Sequence, residues 1–120
     1  MKNAPQGLSL TFLTLPLSTN ALHGVFNGRK LLSARGRANK EAIEFEASAQ
    51  YQGLPYVSPV AVTVALRWPT RRNHDIDNIK TLLDTCNGIL WEDDGQIVEL
   101  HITKAYDRDN PGVDMTVVPI

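Results

Sequence analysis

The order of apolar and polar residues lays out the elements of this chain. Leu8, Leu10, Phe12 and Thr14 alternate with Ser9, Thr11, Leu13 and Leu15, which predicts a strand that Pro16 ends. Val25-Phe26 and Leu31-Leu32 flank Asn27-Gly28, and Asn-Gly supplies the positive φ angles of a tight hairpin turn. That hairpin carries Arg29 and Lys30 at its tip. Ser33 reads as a helix N-cap, and Ala38, Ala42, Phe45 and Ala49, with Ile43 flanking, recur at helical spacing from Ala34 to about Gln50. Gly53 and Pro55 break that pattern. Val60, Val62, Val64, Leu66 and Trp68 share one face of a strand that Pro69 stops. After a polar, basic stretch at 70–76, Ile79, Leu82, Leu83, Cys86 and Leu90 predict a buried stripe on a second helix, Asn78–Leu90. Val98, Leu100 and Ile102 alternate in a further strand, and Val113, Met115 and Val117 in another.

Strand, hairpin, helix, strand, helix, strand, strand is an α+β order. We expect one domain over residues 1–120, with a mixed sheet of about four to six strands and two helices packed on it. A chain of 120 residues suffices for one core. No apolar run approaches the roughly 20 residues of a membrane span. The start of the chain reads as a strand and not as a signal peptide. Cys86 is the only cysteine, so no intrachain disulfide forms, and a cytoplasmic setting is expected.

The net charge of −1 argues at first against a nucleic-acid partner, but the charges are unevenly spread. Residues 1–80 hold ten Lys/Arg and five acids, a balance of +5; residues 81–120 hold two and eight, a balance of −6. One basic surface for phosphates and a separate acidic site fit this division. An unequal scatter of solvated charge fits it too. Arg35, Arg37 and Lys40 fall in the first turns of the first helix, where cations oppose the helix dipole. They therefore serve helix stability poorly.

The segment richest in chemistry is Arg71-Arg72-Asn73-His74-Asp75-Ile76-Asp77-Asn78, followed after a helix by Trp91-Glu92-Asp93-Asp94-Gly95-Gln96. In extended backbone, Asp75 and Asp77 point the same way. Asp94 joins them if the strand after it runs back beside the one ending at Trp68. Clustered carboxylates repel, and a divalent cation such as Mg²⁺ offsets that while binding phosphate oxygens. Arg71 and Arg72 suit a phosphate grip. Plainer readings stand beside these: Asp77 as an N-cap, Asp93 and Asp94 as turn residues, Lys80 and Asp84 as a weak surface pair. Trp68, Trp91 and Cys86 read as core, and His74 as a solvated loop residue.

Asp75-Ile76-Asp77-Asn78, one helix, then Trp91-x-Asp93-Asp94-x-Gln96 resembles the RusA family of Holliday-junction resolvases. Leu15-Pro16 with Asn20, and Leu31-Leu32-Ser33 leading into a basic helix, extend the likeness over nearly the whole chain. The resemblance implies a homodimeric, Mg²⁺-dependent endonuclease, with Mn²⁺ as a substitute, often of phage or prophage origin. Such enzymes nick four-way DNA junctions symmetrically in recombination and repair. It implies Asp75, Asp77 and Asp94 as catalytic metal ligands, with the neighbouring Asp93 joining the metal set. It implies DNA contacts from Arg71 and Arg72, and we extend that surface to Arg29, Lys30, Arg35, Arg37 and Lys40. One departure matters. The family places a lysine four residues after the second Asp, whereas Lys80 comes three after Asp77 and Thr81 takes the fourth place. Either a one-residue deletion restores Lys80 to a catalytic position, or Arg71 or Arg72 replaces it. Asp84 and Asn87-Gly88 are also one residue early, which favours the deletion. The rival readings are a nuclease for other branched DNA, a non-catalytic junction binder, and an unrelated domain whose aspartates are caps and turns.

Overall fold

Val60–Trp68 is the strand around which the rest assembles. Its alternate residues are buried from end to end, as β-branched and large apolar side chains at period two require. In the computed structural model, which describes residues 7–17, 23–26, 28–71 and 78–120, this strand is β4. The other strands are β1 (Leu8–Phe12), β2 (His23–Phe26), β3 (Arg29–Leu32), β5 (Ile97–Tyr106) and β6 (Gly112–Pro119); the helices are α1 (Ala34–Gln50) and α2 (Asn78–Thr85).

The main sheet has the order β1-β6-β4-β5. β6 runs antiparallel to both β1 and β4, and β4 pairs in parallel with β5. The sheet is therefore mixed, as expected, and β2 and β3 form a separate hairpin. Phe26 pairs with Arg29 in that hairpin, and Gly28 takes φ 74°. The core joins Leu10, Phe12, β4, Val113, Met115 and Val117 to Ile43 and Ala47 of α1 and to Ile79, Leu82 and Leu83 of α2. Each large apolar side chain so buried contributes about 1.5–3 kcal/mol.

α1 has the predicted length and cap: the Ser33 side chain accepts from Gly36 N at 2.9 Å. Its buried face differs from the expected one. Gly36, Ile43 and Ala47 are buried, while Phe45 is 74% exposed. The alanine stripe misled because alanines mark a face weakly, whereas polar side chains dock this helix. Gln50 both accepts from Thr11 N and donates to Thr11 O at 2.8 Å. Glu46 accepts from Leu13 N at 2.6 Å and from Thr14 Oγ1 at 2.5 Å. Asn39 donates to Leu15 O and accepts from Leu17 N. Asn39, Glu46 and Gln50 thus satisfy backbone groups along β1 and just beyond it, where β1 is an outer strand of the sheet.

α2 stops at Thr85, five residues before the predicted end at Leu90. Asn87 N bonds Asp84 O, and Gly88 takes φ 82°, a left-handed conformation that ends helices. The predicted stripe survives, because the turn still delivers Cys86 and Leu90 into the core. Burial pushes the Cys86 thiol up to about 12, so it is an unreactive core residue. β5 is the other outer strand, and Val98 and Leu100 on it remain exposed.

Candidate active site

Asp94 stands at the start of a single 3₁₀ turn, Asp94–Gln96, that leads straight into β5. That turn is built by its own side chains. Asp93 accepts from Gly95 N through Oδ2 at 2.8 Å. The Gln96 amide oxygen accepts from Glu92 N and Asp93 N at 2.9 and 3.0 Å, which completes a capping box. The Gln96 amide nitrogen donates to Tyr56 O and Ser58 O at 2.8 and 2.9 Å. One side chain thus ties the turn to the segment entering β4. Below it Trp91 is fully buried, with Nε1 donating to Asn87 Oδ1 at 2.9 Å. Asp93, expected among the metal ligands, also caps the turn.

The orientation of Gln96 has a testable consequence. Gln96→Glu replaces the donor facing two carbonyls with an acceptor. It should destabilise the fold by about 2–4 kcal/mol, and more than Gln96→Ala, in urea unfolding. A Glu variant as stable as the Ala variant contradicts this assignment.

α2 supplies the groups beside Asp94. Its inner side is anchored: Asn78 Nδ2 donates to Pro16 O at 3.3 Å, and Thr81 Oγ1 donates to Leu17 O at 2.9 Å. Its outer side presents Lys80 and Asp84, paired at 3.2 Å from Nζ to Oδ2. The crossover from β4 through α2 to the parallel strand β5 brings Asp84 against Asp94. The Asp94 carboxyl is held above the ordinary carboxylate range. The first cause is its side-chain hydrogen bond with Asp84, followed by partial burial and the negative charges of Asp84 and Asp93; Lys80 acts in the opposite sense. Neighbouring carboxylates repel when both are ionised, and a divalent cation would offset that repulsion.

This geometry bears on the displaced lysine. Thr81, in the position where the family pattern has lysine, is 4% exposed and bonded to Leu17 O. Lys80 lies on the side of the helix that faces Asp94 electrostatically.

The basic residues are spread more widely. Arg71 follows the end of β4, and its guanidinium carbon lies 4.2 Å from the Tyr106 ring centroid at the end of β5. Arg35 and Arg37 are exposed in the first turn of α1, and Lys40 is half-buried. Arg29 and Lys30 begin β3. Asp75, Asp77 and Arg72 lie outside the described residues, as do the side chains of Arg29 and Lys30. Among the described residues, no three acids, His or Cys gather as a metal cluster. Nor is any helix there long and apolar enough to cross a membrane.

A family profile described as Endodeoxyribonuclease RusA matches residues 18–118. The chain belongs to the RusA endodeoxyribonuclease family. Three RusA relatives are each 28% identical over 107 residues, 88% of this chain and 89% of theirs: the crossover junction endodeoxyribonucleases of Enterobacteria phage 82, Shigella sonnei (strain Ss046) and Escherichia coli (strain K12). RusA membership makes the acids around Asp94 the candidate centre for DNA cleavage.

Two residues of that RusA centre were undervalued by sequence reasoning. Asp84 read as half of a surface pair, because nothing local shows that the crossover will bring it to Asp94. Gln96 was a motif position without a reason; its four hydrogen bonds supply one.

Proposed function

We propose that this chain resolves four-way DNA junctions as a homodimeric, Mg²⁺-dependent endonuclease, with Asp75, Asp77 and Asp94 as its essential acids. The observation that supports the reading is the RusA match over residues 18–118, with relatives that are crossover junction endodeoxyribonucleases; the hydrogen bond of Asp94 with Asp84, itself paired with Lys80, agrees with it. The carboxylate crowding at Asp94 fits a divalent cation, which Asp75, Asp77 and Asp94 would hold. When bound, Mg²⁺ or Mn²⁺ supplies Lewis-acid activation at the scissile phosphate.

The chain's own groups do the rest. Lys80 extends from α2 next to the acids and donates to a phosphate oxygen as negative charge develops there. Arg71, its guanidinium braced on Tyr106 at the far end of β5 from Asp94, holds a phosphate further along the DNA. Arg72, Arg29, Lys30, Arg35, Arg37 and Lys40 form the wider DNA-binding surface. Asp77 is bonded directly to Asn78, the anchored first residue of the helix that carries Lys80 and Asp84. A two-fold dimer presents two such sites to a junction of matching symmetry, so paired nicks follow. The setting is recombination and repair in the cytoplasm of a bacterial or phage-infected cell.

The test is incubation with an end-labelled four-way junction and with a linear duplex, each with and without Mg²⁺. We expect paired, metal-dependent nicks in the junction alone. Binding should fall with salt, with a log–log slope of about 0.9 per phosphate contact. Cleavage of flaps in preference to junctions favours a broader branched-DNA nuclease. Binding without cleavage in either metal leaves a junction binder.

A further inference from the structure

We propose that Asp84 is a positioning residue for strand cleavage, holding the Lys80 ammonium beside Asp94; the inference rests on the reading of this site as a nuclease centre. Lys80 and Asp84 are four residues apart on α2 and paired at 3.2 Å. On an isolated helix the stabilising order places the acid before the lysine, and here the order is reversed. Lys80 is 70% exposed and Asp84 38%, so solvent screens the pair and it adds little to stability. Yet Asp84 also meets a second acid, Asp94, from a different element. A carboxylate that faces both a lysine and another carboxylate links the two.

The rest of α2 makes that link directional. Asn78 and Thr81 fasten the helix to Pro16 and Leu17, which fixes its rotation about its own axis. Lys80 and Asp84 therefore leave the helix on a set side. Only the long lysine stem remains loose, and an unrestrained lysine has many rotamers. The Asp84 carboxylate narrows them to those that keep Nζ beside the acids. Removing it should leave DNA binding intact and slow the chemical step, because a charge displaced by about 1 Å costs about a hundredfold in rate.

The experiment compares the full-length protein with Asp84→Asn, Asp84→Glu, Lys80→Ala, the Lys80→Ala/Asp84→Asn double variant and Asp94→Asn. It measures kcat and KM on a four-way junction at saturating Mg²⁺, and Mn²⁺ affinity by calorimetry without DNA. We expect Asp84→Asn to lower kcat by about 10- to 100-fold, with KM and Mn²⁺ affinity within about threefold of the parent. Asp84→Glu should recover part of the rate, and the double variant should be no slower than Lys80→Ala by more than about twofold. A kcat for Asp84→Asn within about twofold of the parent makes Asp84 a surface residue and overturns the proposal. A loss of Mn²⁺ affinity equal to that of Asp94→Asn makes it a metal ligand and overturns it too. So does an additive double variant. If the parent cuts no branched DNA, the nuclease reading fails and the positioning role with it; failure in a parent that cuts removes the positioning role alone.

Discussion

Asp94→Asn is expected to reduce junction cleavage by about a thousandfold or more while junction binding in a gel shift stays within about threefold. Asn keeps the size of the side chain and can still hydrogen-bond to Asp84, so the 3₁₀ turn and the basic surface survive. What disappears is the negative charge on the strand-entry turn. The same substitution should stabilise the metal-free protein. In that state Asp94 binds its proton more tightly folded than unfolded, because of its hydrogen bond with Asp84, its partial burial and the negative charges of Asp84 and Asp93. The stability this provides is present below the ordinary carboxylate range and is lost as pH rises through the raised Asp94 value. Asn has no proton to lose there, so at neutral pH the variant should melt about 1–3 °C above the parent. A variant that melts lower, or that still nicks junctions at more than about a tenth of the parental rate, contradicts the placing of Asp94 at the centre of the site.

Trp91→Ala is expected to cost about 3–5 kcal/mol, a fall in melting temperature on the order of 12–20 °C. Trp91 is fully buried, and its indole N–H bonds the Asn87 side chain. Its carbonyl accepts from Gly88 N at 2.7 Å, and its neighbours Leu90 and Glu92 bond the backbone of Tyr56. The residue is thus the floor under the turn that carries Asp94. Trp91→Phe should cost less, about 1–2 kcal/mol, by keeping most of the apolar volume and losing one hydrogen bond. Urea unfolding followed by far-UV circular dichroism separates the two. Equal costs would mean that the indole volume is not what the core depends on.

Much of the framework was legible because it is local. The strict alternation of Val60–Trp68 could satisfy only a half-buried strand, and each even-numbered residue is indeed buried. Asn27-Gly28 marked a two-residue turn, and Ser33 marked the start of α1. The face of α1 was not legible, because Asn39, Glu46 and Gln50 attach it by hydrogen bonds that apolar periodicity cannot register. The end of α2 was misjudged because the stripe of apolar residues runs on through a turn.

The site was legible as residue types and not as an arrangement. Asp94 was singled out from its motif, but the acid that acts on it most strongly in the described structure is Asp84, ten positions earlier in the chain. That meeting depends on β4 and β5 lying in parallel, a choice made by the whole sheet. Lys80 looked displaced when counted from Asp77; in the described structure Thr81 bonds Leu17 O, and Lys80 pairs with Asp84.

The strand order carries a consequence for when the enzyme can act. β6 follows β1 to β5 in the chain, yet it lies between β1 and β4 and pairs with both. Pairings between positions as far apart as Leu8 and Val117 form slowly, and they cannot begin until residue 117 has been made. A chain still on the ribosome and short of β6 carries Asp94 without the finished sheet beside it. Cutting ability therefore arrives with the strand that closes the sheet, after synthesis of the other elements is complete.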